Sequence, residues 1–270
     1  MNPDKIESLR QAYLNKKKRE KRIVCVIQVL ILIGFLGLWE LASGLLWIDP
    51  LLFSSPSAIG QLFITKVMDF SIFPHIAITV IETFASFILG TLLGLAVAII
   101  LWWSPMFAKI CDPYLVSLNA MPKIALGPIM IVIFGTGMAS AIAMGIIICI
   151  VVTIIVIYNA FEEVDENYLK VLHTFHATKT QIFKEAIFPA SLPTIISTLK
   201  VNVGLAWVGV IVGEFFVSKS GLGFLIVYSF QVFNFTLVLL SVLIILVIAA
   251  LMYALVDCLE KYLLKKLQRN

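Results

Sequence analysis

Few residues in this 270-residue chain have the type and spacing to do chemistry. Neither His-Glu-x-x-His nor Gly-x-Ser-x-Gly occurs, so the chain offers no zinc-protease pair and no hydrolase nucleophile elbow. A Gly-x-x-x-x-Gly-Lys-Ser/Thr phosphate loop is missing as well. His173 and His176 stand three apart, but two imidazoles with no nearby cysteine make a poor metal site. Cys25, Cys111, Cys149 and Cys258 lie at least 38 residues apart, which argues against a disulfide framework and a structural zinc. No metal and no cofactor is expected. What stands out are ionisable residues inside apolar runs: Glu82, Lys123 and Glu214. A charge at the centre of a bilayer costs roughly 2.5–3.5 kcal/mol on insertion scales, so each needs a reason to be there. They are candidates for lining a passage, together with Asn119, Asn202 and Trp207. Helix pairing and plain packing are the competing readings, and Lys200 reads as a snorkelling residue.

The elements that would position these groups follow from composition. Hydrophobic residues make up 61% of the chain and charged ones 13%, against about 45–50% and about 25% in soluble domains. With a mean hydropathy of +1.04, the chain has too little polar surface to coat a water-exposed globule, and it is far too apolar for disorder. The lipid bilayer is part of its solvent. No nucleic acid is expected as a partner.

A helix needs about 20 apolar residues to cross the ~30 Å hydrocarbon layer, and charges leave few places for that. Residues 1–22 carry eight Lys and Arg and read as a basic cytoplasmic tail. Spans are expected at about 23–47, 76–103, 113–134, 138–161, 194–217 and 236–258, with a second cytoplasmic tail at 259–270. The stretch between Lys123 and Glu162, 38 uncharged residues interrupted by Gly135-Thr136-Gly137, reads as a helical hairpin. Six spans put both termini on one side. With that side inside, the outer loops (about 48–75, 135–140 and 218–235) hold only Lys66 and Lys219 of 20 basic residues, as the positive-inside rule requires.

Residues 162–193 remain as one long polar insert, and loops of that size usually carry function. Apolar residues recur at Leu169, Leu172 and Phe175, then Ile182, Phe183 and Ala186, the spacing of amphipathic helix. Two short helices are expected, with a turn near His176 to Thr180 and an end at Pro189 and Pro193.

Across this insert the chain resembles the permease subunits of type I ABC importers, in the branch that imports sulfonates, taurine, nitrate and some vitamin precursors. The likeness runs over roughly residues 50–260. It begins at Ser55-Pro56-Ser57, His75 and Thr79, and continues at Pro122-Lys123-Ile124-Ala125-Leu126-Gly127-Pro128 and Phe134-Gly135-Thr136-Gly137. It is strongest at Ala177-Thr178-Lys179-Thr180-Gln181-Ile182-Phe183 and Phe188-Pro189-Ala190-Ser191-Leu192-Pro193. Ala206-Trp207, Glu214 and Ser220-Gly221-Leu222-Gly223 complete it. Three positions depart. The family's Glu-Ala-Ala falls on Lys170-Val171-Leu172, an arginine common in its second span falls on Glu82, and its turn glycine falls on His176, where a Cβ makes positive φ costly.

The resemblance implies an all-α integral membrane protein of six transmembrane helices, with a cytoplasmic coupling loop between spans four and five. In it, Lys170, His173, Thr174, His176, Ala177, Thr178, Gln181, Phe183 and Pro189 would engage an ATP-binding subunit. Implied partners are two cytoplasmic ATP-binding subunits, an extracytoplasmic substrate-binding protein and a second copy of the permease. The implied location is a prokaryotic plasma membrane, and the implied cargo a small, anionic solute. The chain itself would not be an enzyme. Rival readings are a membrane-embedded enzyme, which lacks its motifs, and a stand-alone secondary transporter, whose inverted repeats and paired broken helices are not evident.

Overall fold

The computed structural model describes Pro3–Val217 and Lys219–Leu267. Met1, Asn2, Ser218 and the last three residues of the expected C-terminal tail lie outside the described residues. Every regular element among those described is helical. The chain divides into two units, Met1–Ile64 and Thr65–Asn270.

In the first unit α1 runs from Pro3 to Gly44 without interruption. The expected basic tail and first span are therefore one helix, about 63 Å long at 1.5 Å per residue, roughly twice the hydrocarbon thickness. Nothing in Lys16 to Arg22 breaks a helix, since Lys, Arg and Glu are good formers. Two short helices follow, α2 (Pro50–Phe53) and α3 (Pro56–Met68), the latter running across the divide. Both start on proline, whose missing N–H is harmless at a first helical position. Ser57 donates its N–H (2.9 Å) and its hydroxyl (2.7 Å) to Glu40, and the Trp39 indole donates to the Phe53 carbonyl at 3.2 Å.

The second unit is built on three helices packed together: α4 (Phe73–Trp103), α7 (Met138–Glu162) and α10 (Phe188–Val217). Small residues let their backbones approach, as in membrane helix pairs generally. A Cβ on Gly209 of α10 would lie 2.5 Å from the Cα of Gly145 on α7, and one on Gly213 would lie 2.6 Å from that of Ala141. Asn202 clasps all three. Its amide donates to Thr91 at 2.8 Å and Thr153 at 2.9 Å, and its oxygen accepts from Thr153 at 3.1 Å. Lys200, expected at the inner end of its span, stands well inside α10 and pairs with Asp257 and Glu260 of α12 (Phe235–Leu267), each at 2.7 Å.

The expected third span is not one rod. α5 starts at Pro105, with Pro113 inside it, and ends at Ala120; a 3-10 turn over Lys123–Leu126 leads into α6 (Gly127–Phe134), and the two halves are bent by 97°. Pro122 is the cause, because the residue before a proline avoids the helical region; Met121 is extended at ψ 138°. The Gly-rich stretch after α10 likewise contains a helix, α11 (Leu222–Gln231), and α12 carries its helix on to Leu267, past the expected limit at 258. Among the described residues, five helices are long and apolar enough to cross a membrane, and the bent pair supplies a sixth candidate.

Candidate functional site

The 162–193 insert folds as α8 (Glu166–Thr174), a tight turn, α9 (Lys179–Ile182) and a π-turn over Phe183–Ile187 that runs directly into α10. Asp165 caps α8 by accepting the Asn167 N–H at 2.8 Å, and Lys170 pairs with Glu166 at 3.1 Å on the open surface. Thr178 and Gln181 form a reciprocal capping box at the start of α9, satisfying donors that a helix N-terminus leaves open. Pro189 and Pro193 do not end the insert. They lie within α10, and the Phe188 N–H reaches back five residues to the Phe183 carbonyl. This wider turn lets the helix continue past Pro189, which has no N–H for the usual ladder.

His176 takes a left-handed conformation, φ +55°, in the position that the expected turn assigns to glycine. The His176 N–H donates to the His173 carbonyl at 2.9 Å and the Ala177 N–H to that of Leu172 at 3.0 Å. Those two bonds are the Schellman arrangement that closes helix ends. Histidine is among the residues that tolerate this region best after glycine.

Two faces of the insert differ. Leu169, Leu172, Ala177 and Phe183 pack inward on a buried cluster of Ala98, Ile157, Phe161, Ile182 and Ile187, joining the insert to α4 and α7. The Phe183 ring lies 4.9 Å from Trp102, 5.6 Å from Trp103 and Phe161, and 5.9 Å from Phe188. Lys179 adds a bond to the Trp103 carbonyl at 2.7 Å and sits 5.2 Å over the Trp102 ring. Outward, Tyr168, Val171 and Phe175 are 67%, 55% and 78% exposed. Phe175, which shares the three-residue spacing of Leu169 and Leu172, is the C-cap of α8 and lies exposed. Tyr168 and Val171 also line a groove of about 490 Å³ with Glu185, Ala186, Pro189 and Ala190. His173, Thr174, His176, Thr178 and Gln181 are exposed as well.

At the opposite ends of α4 and α10 lies a second polar cluster. Thr79 donates to Glu214 at 2.6 Å and accepts the Leu222 N–H at 2.8 Å; the Gly223 N–H reaches Glu214 at 2.5 Å, and the Gly221 N–H reaches His75 Nδ1 at 3.1 Å. These bonds tie the start of α11 to α4 and α10. Gly221 has φ +110°, and a side chain there would collide with the Glu214 carboxylate.

Of the residues singled out for a passage, Glu82 and Glu214 come together here, both buried. Asn202 and Trp207 are buried among helices, the latter with Val203 and Val256. Lys123 and Asn119 meet at the α5–α6 bend, where Lys123 Nζ donates to the Asn119 carbonyl at 3.1 Å, one of the acceptors that the helix end leaves open.

Long apolar helices packed through small residues, a broken span and a helical insert bearing an open apolar face define a multi-pass membrane protein with one specialised polar loop. The family model described as "Binding-protein-dependent transport system inner membrane component" matches residues 90–269, and the chain belongs to that family, the membrane permease subunits of ABC transporters. It is 28% identical over 233 residues to a probable ABC transporter permease protein of Haemophilus influenzae, covering 86% of this chain and 94% of the relative. It is 27% identical over 252 residues to the putative aliphatic sulfonates transport permease SsuC of Bacillus subtilis, covering 93% and 91%. Among solved structures, an inward-facing form of the MetNI methionine ABC transporter superposes with a TM-score of 0.64 at 18% identity, over 73% of this chain and 98% of that one, a likeness of fold.

Proposed function

We propose that the chain forms the import pathway for a small anionic solute of the sulfonate, taurine, nitrate or vitamin-precursor type, handed over by an external binding protein. It pairs with a second copy in a prokaryotic plasma membrane, both termini cytoplasmic. Two cytoplasmic ATP-binding subunits grip the 162–193 insert and hydrolyse the ATP. Family membership and the sulfonate-permease relative support the cargo class. A stand-alone secondary transporter would have no use for the insert's open apolar face.

One observation carries the coupling role. The insert turns Tyr168, Val171 and Phe175 outward beside a groove, while its inner side grips the end of α4 through Phe183 and Lys179. A partner that seats on the outer face therefore moves a block already bonded to the spans. The test is co-purification with the ATP-binding subunit of the same importer. Val171→Glu should release that subunit while the chain still reaches the membrane. Full retention with both Val171→Glu and Tyr168→Glu would mean the partner docks elsewhere.

A further inference from the structure

Every residue from Lys16 to Arg22 except Glu20 is Lys or Arg, so six positive charges and one negative leave a net of +5. All of them belong to the unbroken α1, where ~100° of turn per residue points the cations to every side of the helix. Each is exposed, and none forms an ion pair among the described residues. They make a collar rather than a stripe.

The depth of the collar follows from the helix. The apolar run starts at the next residue, and every residue from Ile23 to Leu38 is exposed. From Arg22 to Glu40 the helix rises about 27 Å, close to the ~30 Å hydrocarbon thickness, so one membrane surface lies at each. At the Glu40 end, the bonds from Ser57 to Glu40 and from the Trp39 indole to the Phe53 carbonyl tie α1 to the short helices that follow it. The Lys16–Arg22 band, about 9 Å tall, therefore falls in the headgroup layer of the opposite surface.

We infer that this collar binds phospholipids with anionic headgroups, of the phosphatidylglycerol type, in the leaflet that it crosses. Continuity names the occupant. Acyl chains pack against the exposed apolar run, and the phosphates of those same molecules arrive at the depth of the collar. A zwitterionic headgroup brings its own cation, whereas an anionic one leaves its charge for the unpaired ammonium and guanidinium groups. Orienting the chain in the membrane needs only a count of basic residues on one side, and neither a rigid helix nor charges all round it. The inference holds whatever the cargo of the transporter.

Cys25, exposed and three residues past Arg22, provides the probe. The full-length chain, with Cys111, Cys149 and Cys258 replaced by alanine, carries bimane on Cys25 in phosphatidylcholine nanodiscs. Quenching by phosphatidylglycerol with a nitroxide at the top of one acyl chain is compared with quenching by phosphatidylcholine labelled likewise, at equal mole fraction. Phosphatidylglycerol should be enriched about fivefold around the probe, the ratio that one near-surface basic residue provides. The ratio should fall toward one in about 1 M salt. Replacing all six basic residues by glutamine should bring it to one, and Glu20→Gln should raise it. Lys17→Gln with Lys18→Gln, which leaves four basic residues for insertion, should give an intermediate value. Equal quenching by the two lipids in the parental chain would overturn the inference, as would a ratio unchanged in the glutamine variants. Full competition by millimolar glycerol 3-phosphate would assign the collar to free phosphate and overturn it too. Equal quenching combined with loss of the ATP-binding subunit from the glutamine variants would assign it to a protein partner. No ATP or transport enters the lipid measurement, so its failure would leave the coupling role standing.

Discussion

At position 176 the backbone turns left-handed under a side chain that opposes it, yet both closing hydrogen bonds of the α8 turn form. An L-residue in that region costs about 1–2 kcal/mol relative to right-handed helix, and glycine removes the penalty. His176→Gly should therefore slow amide hydrogen exchange at His176 and Ala177, whereas His176→Val, β-branched, should speed it. Lys123 is the candidate through which the proposed anionic cargo can be tested. At ~4 Å and an effective dielectric of about 20, one charge biases an anion by about 4 kcal/mol, so Lys123→Gln should cut anion uptake at least about tenfold while Lys123→Arg retains most of it. Parental uptake by the Gln variant would leave Lys123 as a helix-end cap for Asn119. The sequence marked Glu82, Glu214 and Asn202 because polar residues in apolar runs are conspicuous. It did not tell pairing from packing, since Thr79, Thr91 and Thr153 are polar residues that sit quietly in any helix and only the fold brings them to their partners.

Between elements, the decisive contacts are backbone approaches and aromatic packing. Gly209→Leu would drive a side chain into the backbone of α7, and overpacking of this kind costs about 1–3 kcal/mol or more. Gly204, five residues earlier on α10, has open space for 4 Å around the place a Cβ would take. Gly204→Leu should leave the melting temperature in detergent near the parental value, and Gly209→Leu should lower it sharply. Phe183→Ala removes four ring contacts, each worth roughly 0.5–1.5 kcal/mol. The assembled complex should then hydrolyse ATP without stimulation by the loaded binding protein, and ordinary stimulation would show that force passes by another route. Helix existence was legible from apolar runs and charges. Helix ends were not, because Pro189 and Pro193 read as stops until a π-turn absorbs them, whereas Pro122, equally plain in the sequence, bends its span by 97°.

For the molecule as a whole, composition alone placed the chain in a bilayer, and the order of its weak motifs pointed to the family that residues 90–269 match. The outward face of α8 was hidden, since periodicity says which residues share a face and not which face finds a partner. The proposed orientation makes a cysteine at Ser57 react with an impermeant reagent outside intact cells and spares one at Thr178; the reverse pattern would invert the topology. The most direct measurement is solute accumulation in proteoliposomes that contain this chain with and without its cognate ATP-binding subunit. We expect radiolabelled taurine or an alkanesulfonate to accumulate only when that subunit, ATP on its side and the loaded binding protein are all present. Accumulation by the chain alone, driven by an ion gradient, would contradict its role as one subunit of an ATP-driven importer.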